Sequence, residues 1–325
     1  MRYRPFGSTG FNASDVGLGT WQLGGDWGGV NADDAQAILK SALDQGINFF
    51  DTADVYGAGR SETLIGSFLQ NTTENVFVAT KLGRLGGYPD KYSFEFIKKC
   101  TENSLRRLKR DVIDLTQLHC VPRLQLQNGE IFEWLRAIQK EGKIRHFGAS
   151  VETIDEALLC LEQEGLTSLQ IIFNVFRQKP LELLFAEAAS KKVALIIRLP
   201  LASGLLSGKF TKETIFGPSD HRNYNKDGQK FNVGETFSGL EFKYGIELAD
   251  KIKSFVPSNI TMAQFALRWI LDYPEVSVII PGASKADQVL SNASASDVDP
   301  LSKEIHSQLL DIYNNEIEGH IRSLI

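Results

Sequence analysis

A chain of 325 residues that is 42% hydrophobic and 23% charged has the apolar content for a large core and reads as neither disordered nor fibrous. Its net charge of -5 and the lack of any long Lys/Arg run argue against a nucleic-acid partner, and no apolar run reaches the roughly 18 residues of a membrane helix. Residues 1–20 lack the basic end and apolar stretch of a secretory signal, and three cysteines without CxxC spacing read as buried hydrophobes, so a reducing, cytoplasmic setting is expected.

Taken in chain order, residues 3–13, with Gly7 and Gly10 near the turn, read as a hairpin ahead of a first buried strand at 16–20. From Asp33 to Gln45 the apolar residues Ala35, Ile38, Leu39, Ala42 and Leu43 keep helical spacing, and Gly46 stops the pattern as a C-cap would. A second strand follows at 47–52 and a third at 76–81. Ile97, Cys100, Ser104, Leu105 and Leu108 mark the next helix, before a strand at 113–119. Ile131, Leu135 and Ile138 mark a further helix, closed by Gly142 and followed by a strand at 144–150. The remaining strands are expected at 169–174, 193–199 and 276–281, with a helix begun by Pro180 between the first two. Near-continuous apolar strands alternating with helices imply a parallel sheet, and eight such units imply closure as a (β/α)8 TIM-type barrel forming one domain over 1–325. The long irregular segment at 211–239, after the seventh strand and rich in aromatic and glycine residues, is read as functional.

The strands end in polar or reactive residues: Asp51, Lys81, His119, Ser150, Asn174 and Arg198. Each alone reads as a cap or a structural hydrogen-bonding group, but in a barrel these ends share one rim, where active sites are built. Tyr56 follows Asp51 in a turn loosened by Gly57 and Gly59. A phenol with an ordinary pKa near 10 exchanges protons poorly at neutral pH, and a neighbouring ammonium, itself held by a carboxylate, is expected to lower that pKa. A histidine beside the phenol can orient a carbonyl oxygen. Such a set donates a proton to an alkoxide, while hydride has to come from a nicotinamide, because no side chain supplies it.

At GINFFDTADVYGAGRSE, VATKLG, DLTQLHC and PLASGLLSGKF the chain resembles the aldo-keto reductase superfamily, with the motifs in that superfamily's order. The resemblance implies NADP(H) bound to a barrel without a Rossmann domain, Tyr56 as proton donor tuned by Lys81 and Asp51, and His119 orienting the carbonyl of a small-molecule substrate beside Trp21. It implies cofactor contacts from Thr20 and Trp21, from Ser150, Gln170 and Asn174 around the carboxamide, and from Pro200, Leu201, Gly204, Leu206, Gly208 and Lys209 at the pyrophosphate. IPGASKADQVLSN resembles the adenosine segment, giving Gly282, Ser284, Lys285, Gln288 and Asn292, with Ser284 and Lys285 expected to favour NADPH over NADH.

Two positions depart from the pattern. Val151 stands where many members have Asn, and Arg198 stands where many have an aromatic residue. Arg198 either stacks its flat guanidinium on the nicotinamide or forms an ion pair with a nearby acid. Trp21, Trp27, Tyr88 and the aromatics of the long segment are expected to wall a broad carbonyl pocket. The alternative reading is a regulatory or channel-associated protein that keeps barrel and cofactor but acts by binding, as the potassium-channel β subunits of this superfamily do. The intact tetrad and the lack of an N-terminal extension favour a reductase. A metal-dependent barrel hydrolase is disfavoured, since the five histidines show no metal-ligand spacing and no metal is expected.

Overall fold

The computed structural model describes residues 1–25 and 29–324; the expectation for Trp27 lies outside them. The chain opens with an antiparallel hairpin, β1 (Tyr3–Pro5) and β2 (Asn12–Ser14), in the register Tyr3 to Ser14 and Pro5 to Asn12. Its turn drives the fully buried Phe6 against Phe49 and Phe77, at ring-centroid separations of 5.1 and 5.3 Å. Gly7, at φ +55°, lies so close to Ala194, Lys192 and Thr167 that a Cβ there would fall 2.9 Å from their backbone atoms. The hairpin is thereby seated against the sheet.

Eight strands then run parallel in sequence order: β3 (Leu18–Gly19), β4 (Phe49–Asp51), β5 (Phe77–Leu82), β6 (Ile113–His119), β7 (Ile144–Ser150), β8 (Leu166–Ile172), β9 (Ala194–Arg198) and β10 (Val276–Ile279). Parallel bridges from Val16 to Ile279 and from Gly19 to Gly282 join the two ends of the sheet, with Gly17 N donating to Ile279 O at 2.8 Å and Gly19 N to Pro281 O at 3.1 Å. The result is the TIM-type barrel expected from the alternation of strands and helices.

The near-continuous apolar character of the strands has a direct cause, since both of their faces are buried. Phe49, Phe77, Ala79, Leu115, Ile196 and Val278 form one cluster with Phe6. Val78, Leu118, Phe147, Leu169 and Ile197 belong to a second, shared with helical residues such as Ile38, Leu135 and Phe265. Helices begin and end where their sequence signals lie. In Ala32–Asp44 the Asn31 side chain accepts from Asp34 N at 2.8 Å, Asp33 and Asp34 sit in the positively polarised first turn, and Gly46 lies beyond the end at φ +77°.

The sixth barrel strand is displaced from its expected span of 169–174. β8 begins earlier because Thr167 and Ser168 sit in the ladder, buried, with Thr167 Oγ1 donating to Phe147 O at 2.9 Å. Asn174 falls beyond the strand. The segment after β9 also carries more order than its composition suggests, with a short helix at His221–Tyr224 and 3-10 turns at Val233–Glu235 and Phe237–Gly239. No helix among the described residues is long and apolar enough to cross a membrane.

Candidate active site

Asp51 ends β4, Lys81 lies near the end of β5 and His119 ends β6, so the parallel register brings all three to the C-terminal rim. Tyr56 comes from the tight turn that follows Asp51. Gly57 in that turn has φ +60°, and a Cβ on it would sit 2.4 Å from Gly24 O, so glycine permits the turn to press against the segment after β3. The neighbouring Trp21 ring lies parallel to Tyr56 with centroids 5.9 Å apart, and His119 meets the other ring edge-on at 5.9 Å.

Lys81 is buried, and its three N–H groups all have acceptors: Asp51 Oδ1 at 2.5 Å, Thr52 O at 2.9 Å and Tyr56 Oη at 3.2 Å. Because the ammonium donates to the phenol oxygen, the phenol's own hydrogen is left to point elsewhere. Tyr56, Asp51 and His119 line a cavity of about 680 Å³, while Lys81 lies beneath them.

The electrostatics differ in one respect from the sequence expectation. Burial raises the Tyr56 pKa above its ordinary value, and this outweighs the lowering by Lys81. Tyr56 is therefore held as a neutral phenol. Burial works against the charge on Lys81, but Asp51 and then Tyr56 more than offset it, so its pKa is raised. Burial, reinforced by Arg84, Lys81 and Arg198, pushes His119 well below the usual imidazole range. A neutral imidazole can orient a carbonyl oxygen without acting as the acid.

The cavity also gathers many of the expected cofactor residues: Thr20, Trp21, Gln170, Arg198, Pro200, Leu201, Gly204, Lys209, Gly282, Ser284, Gln288 and Asn292. Ser150, Asn174, Leu206, Gly208 and Lys285 are not among its lining residues. Asn174 is turned away: its amide donates to Leu199 O and to Ser238 Oγ, both at 2.9 Å, and its oxygen accepts from Phe176 N at 2.9 Å. Ser150 is buried beside Cys120, with Oγ 3.9 Å from Sγ. Leu206 is packed in the core, Gly208 ends a 3-10 turn against Met262, and Lys285 is exposed at the N-cap of the helix Ala286–Ala293.

The cavity wall beside Tyr56 and His119 also contains Arg84 and Glu235, which the sequence pattern does not single out. Arg84, just beyond β5, forks onto Glu235 at 3.1 to 3.3 Å and lies over the Phe231 ring at 5.2 Å. Arg198 forms an ion pair, one of its two expected roles, with Nη1 3.5 Å from Glu235 Oε2, and also donates to Val151 O at 3.0 Å. Glu152 accepts from Asn232 at 3.1 Å and is pushed up to about 7 by burial and by Glu235. Metal-ligand atoms of Cys120, Glu152 and Glu235 lie within 4.8 Å of one another, but Arg84 and Arg198 supply positive charge there. The segment at 211–239 contributes side chains to the cavity itself. Arg222, held by Asp220 at 2.6 Å, reaches the cavity near Gly204, whereas Phe231 and Glu235 form part of its wall near the tetrad. Arg84 was detectable as one more polar residue after a strand, in KLGR; Glu235 had no periodic signal at all.

The family model described as "Aldo/keto reductase family" matches residues 15–314. The chain belongs to the aldo/keto reductase family. It is 32% identical over 297 residues to "Aldo-keto reductase YhdN" of Bacillus subtilis, a match covering 89% of this chain and 87% of that protein. It is 29% identical over 320 residues to "Probable voltage-gated potassium channel subunit beta" of Arabidopsis thaliana, covering 93% of each. Among solved structures it is similar to the holo form of aldo-keto reductase AKR11C1 from Bacillus halodurans, with a TM-score of 0.79 and 26% identity over 99% of this chain and 100% of that one. As an aldo/keto reductase the chain is placed among oxidoreductases, and its rim geometry can be read in those terms.

Proposed function

We propose that the protein is an NADP(H)-dependent oxidoreductase that reduces the carbonyl group of a small aldehyde or ketone to an alcohol, with Tyr56 as proton donor. The observation that carries this reading is the direction of the bond between Lys81 and Tyr56. The ammonium donates to Oη at 3.2 Å, which leaves the phenol proton free for a substrate oxygen and stabilises the phenolate as that proton departs. Asp51 keeps the ammonium charged and in place. His119, neutral and edge-on to the phenol, orients the carbonyl oxygen towards it.

The residues present fit a dinucleotide. One cavity runs from the tetrad past residues 199–204 to 280–284 and 287–292, and Arg198 Nε and Gln22 Oε1 in its wall have no hydrogen-bond partner among the described residues. Thr20, Trp21, Gln170 and Arg198 would hold the nicotinamide end, Gly204, Lys209 and Arg222 the pyrophosphate, and Ser284, Gln288 and Asn292 the adenosine end. When bound, the cofactor supplies hydride to the carbonyl carbon. The chain's own contribution is to place the carbonyl, give its oxygen a proton and hold the resulting phenolate beside Lys81.

The test is a panel of sugars, short aliphatic aldehydes, methylglyoxal and aromatic aldehydes, followed by loss of NADPH absorbance. Tyr56→Phe is expected to lose nearly all turnover while its dissociation constant for NADPH stays close to the parent's. Retention of most of the turnover would remove Tyr56 from the proposed role. A parent protein that binds NADPH yet reduces none of the panel would favour a binding role, such as the name of the Arabidopsis thaliana channel β-subunit relative suggests.

A further inference from the structure

The Asp51 carboxylate is engaged on both oxygens, and Lys81 accounts for only one. Oδ1 accepts from Lys81 at 2.5 Å; Oδ2 accepts from Gln170 Nε2 at 2.8 Å and from Gln117 Nε2 at 3.3 Å. Gln170 also lines the cavity. Gln117 does not, and it is fully buried on β6 at the register position paired with Lys81 on β5. We propose that Gln117 is a positioning residue of the tetrad, which together with Gln170 pins the second oxygen of Asp51 so that the first stays on Lys81. This rests on the tetrad reading given above.

The orientation of the Gln117 amide is dictated by chemistry. An ionised carboxylate only accepts, so Nε2 has to face Asp51 and Oε1 has to face away. Facing away leaves Oε1 buried with no partner among the described residues, on the strand that also carries Leu115. A side chain needed there only to fill space would do better without that oxygen, because a buried acceptor left unmade destabilises the fold. What glutamine supplies and leucine cannot is the N–H directed at Oδ2.

Losing that donor would loosen the carboxylate about its terminal torsion, which is intrinsically broad. The consequence passes through Lys81. Burial acts to lower the Lys81 pKa, and Asp51 is the leading interaction that raises it, so a less tightly oriented Asp51 lets the ammonium give up its proton at lower pH.

The experiment uses the full chain with NADPH and the best carbonyl found, and compares Gln117→Leu and Gln117→Glu with Tyr56→Phe. For Gln117→Leu the expectation is a melting temperature close to the parent's, the lost bond to Asp51 being offset by removal of the unpartnered Oε1, and an NADPH dissociation constant within about twofold. Its kcat falls roughly tenfold, the scale of one hydrogen bond to a charged group. The basic limb of its pH profile moves to lower pH by about half a unit. Gln117→Glu donates only while protonated, so it should approach parental activity on the acid side and lose it as pH rises.

Gln117→Leu with parental kcat and an unshifted profile, alongside an inactive Tyr56→Phe, overturns the inference and leaves the tetrad intact. If the leucine variant does not fold, parental activity of Gln117→Glu at every pH overturns it equally. Turnover surviving in Tyr56→Phe would instead fell the tetrad reading itself.

Discussion

Replacing Lys81 by methionine keeps much of the side chain's reach and removes the ammonium beneath Tyr56. The ammonium nitrogen stands 3.2 Å from the phenol oxygen. At an effective dielectric constant of about 20, a unit charge at that distance stabilises a full phenolate by about 5 kcal/mol. With the proton roughly half transferred in the transition state, about half of that acts on the rate, which corresponds to a loss of about a hundredfold in kcat. Burial already raises the Tyr56 pKa, so no other contact compensates for the missing charge. The same substitution strips Asp51 of its buried ion pair, and breaking such a pair from one side costs roughly 3–5 kcal/mol of stability. Rate and stability have to be separated, and the double variant Asp51→Asn, Lys81→Met does so. It leaves no orphaned charge, so most of the stability should return while kcat stays low. Steady-state NADPH consumption and urea unfolding, run on the parent and both variants, supply the readings. A kcat within tenfold of the parent's in either variant would refute the electrostatic account of Lys81.

Two further outcomes are expected. Asp54 is buried with Oδ1 unpartnered among the described residues, and burial together with Glu62 pushes it up to about 7. Its folded pKa thus exceeds its unfolded one, so the folded chain keeps a proton that the unfolded chain releases; stability is fully present below about pH 4 and is lost as pH rises towards about 7. Asp54→Asn should accordingly match the parent near pH 4 and exceed it by about 4 kcal/mol at pH 8 in urea unfolding, and an equal difference at both pH values would refute this. Lys285 is exposed and does not line the cavity, whereas Ser284 and Gln288 do, with Gln288 Oε1 accepting from Ser284 N at 2.7 Å. Lys285→Met should raise the NADPH dissociation constant by about fivefold and leave that of NADH unchanged, the scale of a single exposed charge contact; an equal loss for both cofactors would show that Lys285 does not read the 2'-phosphate.

The barrel was legible because its signals are local and redundant. The strands at Ile113–His119 and Ile144–Ser150 coincide with their expected spans, each opening on a buried Ile and carrying a buried apolar residue in its interior, Leu115 or Phe147. The sixth strand was misplaced because Thr167 and Ser168 break its apolar run, and nothing in the sequence announces that the Thr167 hydroxyl finds Phe147 O across the ladder. That displacement carries Asn174 past the strand end into bonds with Leu199 and Ser238.

The site was legible only as far as strand ends reach. Asp51, Lys81, His119 and Arg198 follow from topology, because parallel strands deliver their C-terminal residues to one rim. Glu235 and Phe231 arrive from a segment without periodicity, and Gln117 lies within a strand, where it looks like any other interior position. The tyrosine shows the deeper limit. From neighbours alone, an ammonium beside a phenol implies a lowered pKa, but the ring's burial raises it and wins. That reversal suits the proposed direction of the reaction: a phenol that keeps its proton at neutral pH is a donor in waiting. Lys81, at 3.2 Å, contributes most at the moment when the proton leaves and negative charge gathers on the oxygen.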